Sequence, residues 1–548
     1  MTTITAEQIL GAEALLGLGW SARERSQMLG NIASQSESAQ QARSHRIANG
    51  VPTAQRFDPR LADFAMPSAA VQVTTAARVP PLPAAEEDIA FAPLVHLSGW
   101  IASGVLSAQR LTRIYLDRIA AIGPRLECWA TVVPEQAMAE AAAADSLLSV
   151  GINLGPLHGI PYGVKDLFDT RGIVTGWGAE PFRARVPEQD AAIVTLLRRA
   201  GAVLLGKTTV GALAYNDIWY GGVTRNPWNL NEGSSGSSAG SASATAAGLC
   251  GFAIGTETLG SITAPSQRCG TTGLRPTFGR VSRAGAMALC PSLDKVGPIC
   301  RAVEDTALVL SVLNGYDPAD RGSIGAGFSY DGRAGIEGLR VGYLPEAFGE
   351  GATEVDHAAL SAARKIADVR AVALPDLPYG ALMNVVYAEA AAIFSGLTLD
   401  NLDDTLTWQA DEAWPNTFRK AWFLSAVDHV HLDRLRYQVM GALDALFRDI
   451  DVLIGPFSTG PMLVASNFTG HPCLHLRAGF LDIGTRASAS IGGGKLTLGD
   501  VAEGGKTYTV PQGISLWGRL FDEGTILRFG RALEAELAVA DRRPGLPD

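Results

Sequence analysis

A run of serines and one lysine are the groups in this chain whose types and spacing could do chemistry. From Gly233 to Gln267 there are 35 residues with a single charge, Glu257, and the run is rich in Gly, Ser and Ala. A serine becomes a nucleophile only when a base takes its proton, and no histidine lies nearby in sequence. A lysine can be that base if burial or a neighbouring positive charge keeps its amine neutral. Lysine is scarce here, seven against 38 arginines. Lys165 closes the stretch Leu157-His-Gly-Ile-Pro-Tyr-Gly-Val-Lys165 and is followed by Asp166; Ile160, Tyr162 and Val164 suggest a buried strand. On residue type alone, Lys165 is either such a base or half of a buried ion pair.

Three other readings of these segments are weaker. Gly201-Ala-Val-Leu-Leu-Gly-Lys207-Thr208 satisfies the phosphate-loop pattern to the letter. A phosphate cradle must be a flexible turn between strand and helix, whereas this interior is an apolar run that reads as the strand itself. Gly236-Ser-Ser238-Ala-Gly240 matches a nucleophile elbow. That elbow needs a strand running into it and a late histidine; the preceding residues read as loop, and His471 is the only late histidine in a suggestive setting. A Gly/Ser linker is the plain reading of such composition. It fails because the run holds an expected helix, Ser238–Gly248, and an apolar strand, Cys250–Ile254.

The elements that must position these groups follow from the rest of the chain. Hydrophobic residues make up 47% and charged residues 18% of 548, which excludes disorder for the bulk and allows a large core. The net charge of −10 argues against binding to nucleic-acid phosphates. No secretory leader or membrane-spanning run is apparent, and six cysteines without a CxxC pair read as free thiols of a reducing cytoplasm. Metal ligation is unsupported. Residues 1–60 read as a helical extension, over Ala6–Leu18 and Ala22–Ile47, and 61–87 as a Pro-rich linker. From residue 88, expected helices (Ser107–Ile122, Ala191–Ala200, Asp522–Leu537) alternate with expected strands (Ala202–Leu205, Leu339–Leu344, Val452–Ile454, Gly513–Trp517). Such alternation predicts an α/β sheet with helices on both faces. The stretch 377–447 is expected to be mostly helical and to cover the substrate.

Taken together, these segments resemble the amidase signature family. The matching blocks are Gly159-Ile-Pro-Tyr-Gly-Val-Lys-Asp166, Gly206-Lys-Thr-Thr209, Asn226-Pro-Trp228, the block at 236–242, and Gly255-Thr-Glu-Thr-Leu-Gly-Ser261. Others are Gly270–Arg280, Asp294-Lys-Val-Gly-Pro298, Asn467–Pro472 and Gln512–Leu516. They keep the family's order over about residues 90–540. The resemblance implies the amidase signature fold, a large mixed sheet flanked by helices, with 88–548 as the catalytic domain. It implies an amidohydrolase acting through a Ser–Ser–Lys triad and an acyl-enzyme, with no cofactor or metal. Carried over by motif, the lysine is Lys165, the bridging serine is Ser237, following a cis peptide bond from Gly236, and the nucleophile is Ser261. Backbone N–H groups of Thr258, Leu259, Gly260 and Ser261 would form the oxyanion hole.

Two departures from the family pattern stand out. Leu259 replaces a glycine, and leucine avoids positive φ. The arginine that in some members anchors a substrate carboxylate is absent, with Ile262-Thr-Ala-Pro265 in its place. The expected partner is therefore a small-molecule amide without a carboxylate near the scissile bond. Alternatives are the glutaminase subunit of a tRNA-dependent amidotransferase, a carbamate or ester hydrolase on the same triad, and a non-catalytic amidase-like binder. The N-terminal helices are either a packed cap or a homodimer contact.

Overall fold

The computed structural model describes residues 4–67, 72–486 and 506–546. Residues 68–71 of the expected linker and 487–505 of the expected catalytic domain lie outside the described residues. One sheet of eleven strands organises the chain. In chain order they are β1 (Trp129–Val132), β2 (Pro161–Lys165), β3 (Val203–Thr208), β4 (Phe252–Glu257), β5 (Thr272–Arg275), β6 (Lys295–Cys300), β7 (Val341–Tyr343), β8 (Val369–Ala371), β9 (Val452–Gly455), β10 (Cys473–Ile483) and β11 (Tyr508–Gly518). Across the sheet their order is β8-β7-β9-β11-β10-β5-β6-β4-β2-β3-β1. The sheet is mixed. Strand β2 runs parallel to β3 and β4, while β6 lies antiparallel to β4 and β5.

The apolar sequence explains this centre. Every residue of β2, β3 and β6 is buried, as a strand covered on both faces requires. Tyr162 of β2 stacks on Phe252 of β4 at 5.4 Å. Helices pack above and below. Ala108–Leu126 turns Leu111, Ile114, Tyr115, Ile119 and Ile122 inward, starts at Ser107, whose side chain accepts from Arg110 N–H, and ends at Glu127 with φ 48°. Ala239–Ala246, wholly buried, is made of Ala, Gly, Ser and Thr, small enough to lie close against its neighbours. A single apolar cluster reaches from Ile89 to Leu533. The fold is the large mixed sheet flanked by helices that the sequence predicts.

Two regions differ from the sequence expectation. The segment read as a linker holds a strand, Gln72–Thr74, paired in parallel with Ser329–Asp331. Ala76 and Ala77 N–H donate to the Glu304 carboxylate nearby. The approach to Ser237, read as loop, contains a hairpin of Arg225–Asn226 and Asn229–Gly233 outside the main sheet. Gln72–Thr74 and Arg225–Asn226 are too short for a period-two signal, and Asn229–Gly233 holds a single hydrophobic residue, Leu230.

The N-terminal helices, Ala6–Leu16 and Ala22–Ser44, each begin with a capping box. Residues 379–449 form four helices and two 3₁₀ turns. Trp414 of that region donates its Nε1–H to Leu213 O at 3.0 Å and packs on Tyr215, bracing the loop after β3. Among the described residues no helix is long and apolar enough to cross a membrane.

Candidate active site

Lys165 sits at the end of β2, where the strand delivers it into a ring of hydroxyls. Its Nζ lies 2.8 Å from Ser237 Oγ, 3.0 Å from Ser238 Oγ and 2.8 Å from Thr256 Oγ1. Burial pushes the amine well below the ordinary lysine value, against the opposing pull of Asp294 and Glu257. Among the described residues Lys165 forms no ion pair. The carboxylate next to it in sequence, Asp166, faces Lys207 at 3.7 Å and accepts from Gly176 N–H at 3.0 Å. The ion-pair reading of Lys165 therefore fails: the chain turns after Lys165, and Asp166 in that turn faces the lysine of the neighbouring strand instead.

The backbone around Ser237 is sharply bent. The Gly236–Ser237 peptide is cis, and Ser235 takes φ 60°. Ser235 N–H donates to Asp217 Oδ2 at 2.8 Å. A Cβ at Gly236 would lie 1.9 Å from the Asn216 carbonyl oxygen, so only glycine fits. Leu213, Ala214 and Asn216 also have positive φ. Non-glycine residues in that region concentrate where the surroundings over-determine the chain.

Ser261 lies just before the helix Thr263–Cys269. Of the three residues it alone reaches a surface, 8% exposed against 0% for Lys165 and 1% for Ser237. Its carbonyl accepts from Ser238 N–H at 3.1 Å, tying the two serine segments together. The main-chain N–H groups of Leu259, Gly260 and Ser261 donate to no acceptor among the described residues. The positive φ of this turn falls on Gly260, at 86°, and Leu259 is spared it. Leu259 instead packs its half-buried side chain against the core, so the departure from glycine needs no strained leucine.

Sequence reasoning missed the groups that hold this turn. Glu257 Oε2 accepts from Ile262 N–H, Thr263 N–H and the Thr263 hydroxyl at 2.9–3.0 Å. Its Oε1 accepts from Arg275 at 2.7 Å and Asn467 at 3.1 Å. Burial, the largest influence, raises its pKa, but Arg275 and these donors overcome it and hold it at about 2. Thr258 donates its hydroxyl to Asp294 at 2.6 Å. The one available signal was that Glu257 is the only charge in the 233–267 run.

The competing motifs separate from this site. Lys207 lies inside β3 and donates to Thr170 and Thr175 at 3.1 and 2.9 Å, which leaves no phosphate cradle. His471 is buried between Thr469, 2.7 Å away, and the Phe447 ring. Burial pushes it down to about 3.

Comparison with known proteins places this geometry in a family. Residues 110–527 match the amidase family. A glutamyl-tRNA(Gln) amidotransferase subunit of Desulfatibacillum aliphaticivorans is 32% identical over 480 residues, 81% of this chain and 97% of that protein. The corresponding subunit of Desulforapulum autotrophicum is 34% identical over 489 residues, 82% of this chain and 96% of that protein. The peptide amidase of Stenotrophomonas maltophilia superposes with a TM-score of 0.68 at 28% identity, covering 83% of this chain and 99% of that one. The chain belongs to the amidase family and is a hydrolytic amidase.

Proposed function

We propose that the enzyme cleaves a carboxamide C–N bond through Ser261 as nucleophile, with Ser237 and Lys165 as its proton relay. The observation that carries this reading is the buried Lys165 amine, 2.8 Å from Ser237 Oγ and, among the described residues, without a carboxylate partner. Proton counting supports the direction of transfer. Ser238 Oγ donates to Thr256 O at 3.1 Å and accepts from Thr256 N–H at 3.2 Å. Its remaining lone pair can only accept from Lys165. A neutral amine then has one N–H and one lone pair left for Thr256 and Ser237. Ser237 can give its proton to that lone pair and take one from Ser261.

The steps follow from this arrangement. Ser261 Oγ attacks the amide carbon as its proton passes to Ser237 and that of Ser237 to Lys165. The oxyanion is met by the unengaged N–H groups of Leu259, Gly260 and Ser261, with Thr258 beside them; removing one such donor typically costs roughly 10²–10³ in rate. The relay returns a proton to the leaving nitrogen, the C–N bond breaks, and water hydrolyses the Ser261 ester by the same route in reverse.

Hydrolysis of a simple aryl amide tests the reading. Ser261→Ala is expected to reduce kcat by roughly 10⁴-fold or more, and full retained activity sinks the assignment. The same relay would open an ester or a carbamate, so a panel of the three ranks the preference. The named relatives favour one second reading, a glutaminase that passes ammonia to a partner. An assay with glutamine and no partner separates the two, because the amidase reading expects turnover of aryl amides alone.

A further inference from the structure

We infer that the N-terminal extension forms a wall of the substrate cavity and selects amides with a bulky, uncharged, apolar substituent. This rests on the amide-hydrolase reading above and extends it to the substrate class. A cavity of about 450 Å³ opens at the ends of β2 and β4, with Thr256 and Thr258 on its wall. Binding sites for drug-sized ligands typically span about 300–1,000 Å³. Trp177, Met287 and Leu289 line it, and residues 48–52 of the extension close one side. Those five residues lie outside the stretch that matches the family, so the wall belongs to this chain's own addition.

The extension is fastened at that wall. Asn49 Nδ2 donates to Ala288 O at 2.9 Å, and Ala288 N–H donates back to Asn49 Oδ1 at 3.0 Å. The side chain thus pairs with main chain as a neighbouring strand would. Ala288 stands between the lining residues Met287 and Leu289. Leu289 and Cys290 N–H donate to Asp294 Oδ2 at 2.9 Å, and Asp294 Oδ1 accepts from Thr258. Asn49 is therefore three hydrogen-bond links from the turn that carries Ser261. Further along, Phe57 packs edge-on against Phe278 at 5.1 Å, and Arg436 lies over the Phe57 ring at 3.5 Å.

The chemistry of the wall sets the class of ligand. Its charged side chains are already engaged. Arg185 binds Asp169 at 2.7 and 2.8 Å, and Arg283 binds Asp320 at 2.9 Å. Lys295 donates to Leu293 O, and Arg321 donates to Ala54 O at 3.3 Å. A cationic substituent entering this space would lose water without gaining a free carboxylate, because Asp169, Asp294 and Asp320 already accept from Arg185, Leu289 and Arg283. An anionic one would have to displace water from the exposed Arg321 or Leu293 O from Lys295. An aryl or alkyl group gains from burial against Trp177, Met287 and Leu289.

The test uses the full chain and two substrates, acetamide and 4-phenylbutyranilide, which is apolar on both sides of its amide. Asn49→Ala is expected to lower the kcat/KM ratio of anilide to acetamide about tenfold, chiefly through KM, as loss of a hydrogen-bonded wall implies. Asn49→Asp keeps the acceptor for Ala288 N–H but loses the donor, and is expected to fall between. Val51→Asp, at an exposed position of the wall, is expected to lower the ratio at least as far. Calorimetry on Ser261→Ala, where turnover is blocked, gives the anilide Kd directly, and adding Asn49→Ala should weaken it about tenfold. Ratios and Kd within twofold of the parent overturn the inference. A parent chain that hydrolyses neither amide overturns the function reading instead, while the Kd still reports on the wall.

Discussion

Strands β2 and β3 lie side by side, and each delivers a fully buried lysine near its end, yet the two amines have opposite surroundings. Lys207 has the Asp166 carboxylate at 3.7 Å and two threonine hydroxyls, and it ties together the loop after β2. Lys165 has three hydroxyls and, at 3.4 Å, the Thr256 carbonyl, and among the described residues no carboxylate within ion-pair distance. Burial pushes both amines down, Lys165 well below the ordinary value and Lys207 to about 8; among the described residues only Lys207 has a carboxylate at ion-pair distance to offset part of it. A paired buried lysine is a strut. An unpaired one is kept neutral and can receive a proton.

Replacing each lysine by methionine, of similar length and without charge, is the sharpest way to break this contrast. Lys165→Met is expected to cut kcat by roughly 10⁴-fold while leaving denaturant stability at neutral pH equal to the parent or higher. The folded-state pKa of Lys165 is lowered, so the unfolded chain binds a proton there that the native state does not, and the native lysine costs stability below pH ~10.4. Lys207→Met is expected to do the reverse. It strands Asp166 in the interior and should cost about 3–5 kcal/mol, with the folded fraction still turning over substrate. If Lys165→Met melts like Lys207→Met, the distinction between base and strut is wrong.

Acid titration separates a second pair of groups. Glu257 is held at about 2 against 4.5 for an ordinary glutamate. Its contribution is present above pH 4.5 and is lost as pH falls through about 2; the difference amounts to about 3 kcal/mol. Glu257→Gln is expected to remove that acid dependence from the unfolding curve. The rate should follow Lys165 instead. Only the neutral amine accepts a proton, so kcat/KM should rise with pH through a value well below the ordinary lysine range and then stay level. A rising limb near pH ~10.4 would mean that the amine is not kept neutral by its surroundings.

What the sequence made legible depended on the range of the interaction. The continuous apolar run of β3 and the 3.6-residue stripe of Ala108–Leu126 are local patterns, and both appear within a few residues of expectation. Lys165 and Ser237 are 72 residues apart in sequence, and they meet because β2 and the 236–242 segment each carry a recognisable block. The hydroxyl ring is different. Which of Ser237, Ser238 and Thr256 face the amine follows from one bent peptide and the β4 register, neither of which has a compositional signature. Glu257 depends on Arg275 and Asn467, the latter 210 residues away. Asn49 depends on Ala288, 239 residues away. Pairings at that distance leave no period to read. The Lys165–Asp166 adjacency misleads because β2 ends at Lys165 and the turn after it carries Asp166 to Lys207.

The smallest effect is expected at Leu259, the one position where the turn departs from the family's glycine. With positive φ carried by Gly260 alone, restoring glycine at 259 relieves no strain. It removes a half-buried side chain that packs on the core and adds backbone freedom to the unfolded chain. Leu259→Gly should therefore cost about 1–2 kcal/mol of stability and change kcat by no more than a few-fold, because the N–H at 259 is kept. Gly260→Ala is the matching control: it forces a Cβ into φ 86° and should lose far more activity than Leu259→Gly. A large rate gain on Leu259→Gly would show that the leucine side chain, rather than the backbone, limits the turn. The site would then owe its shape to packing at 259 as much as to the hydrogen bonds of Glu257.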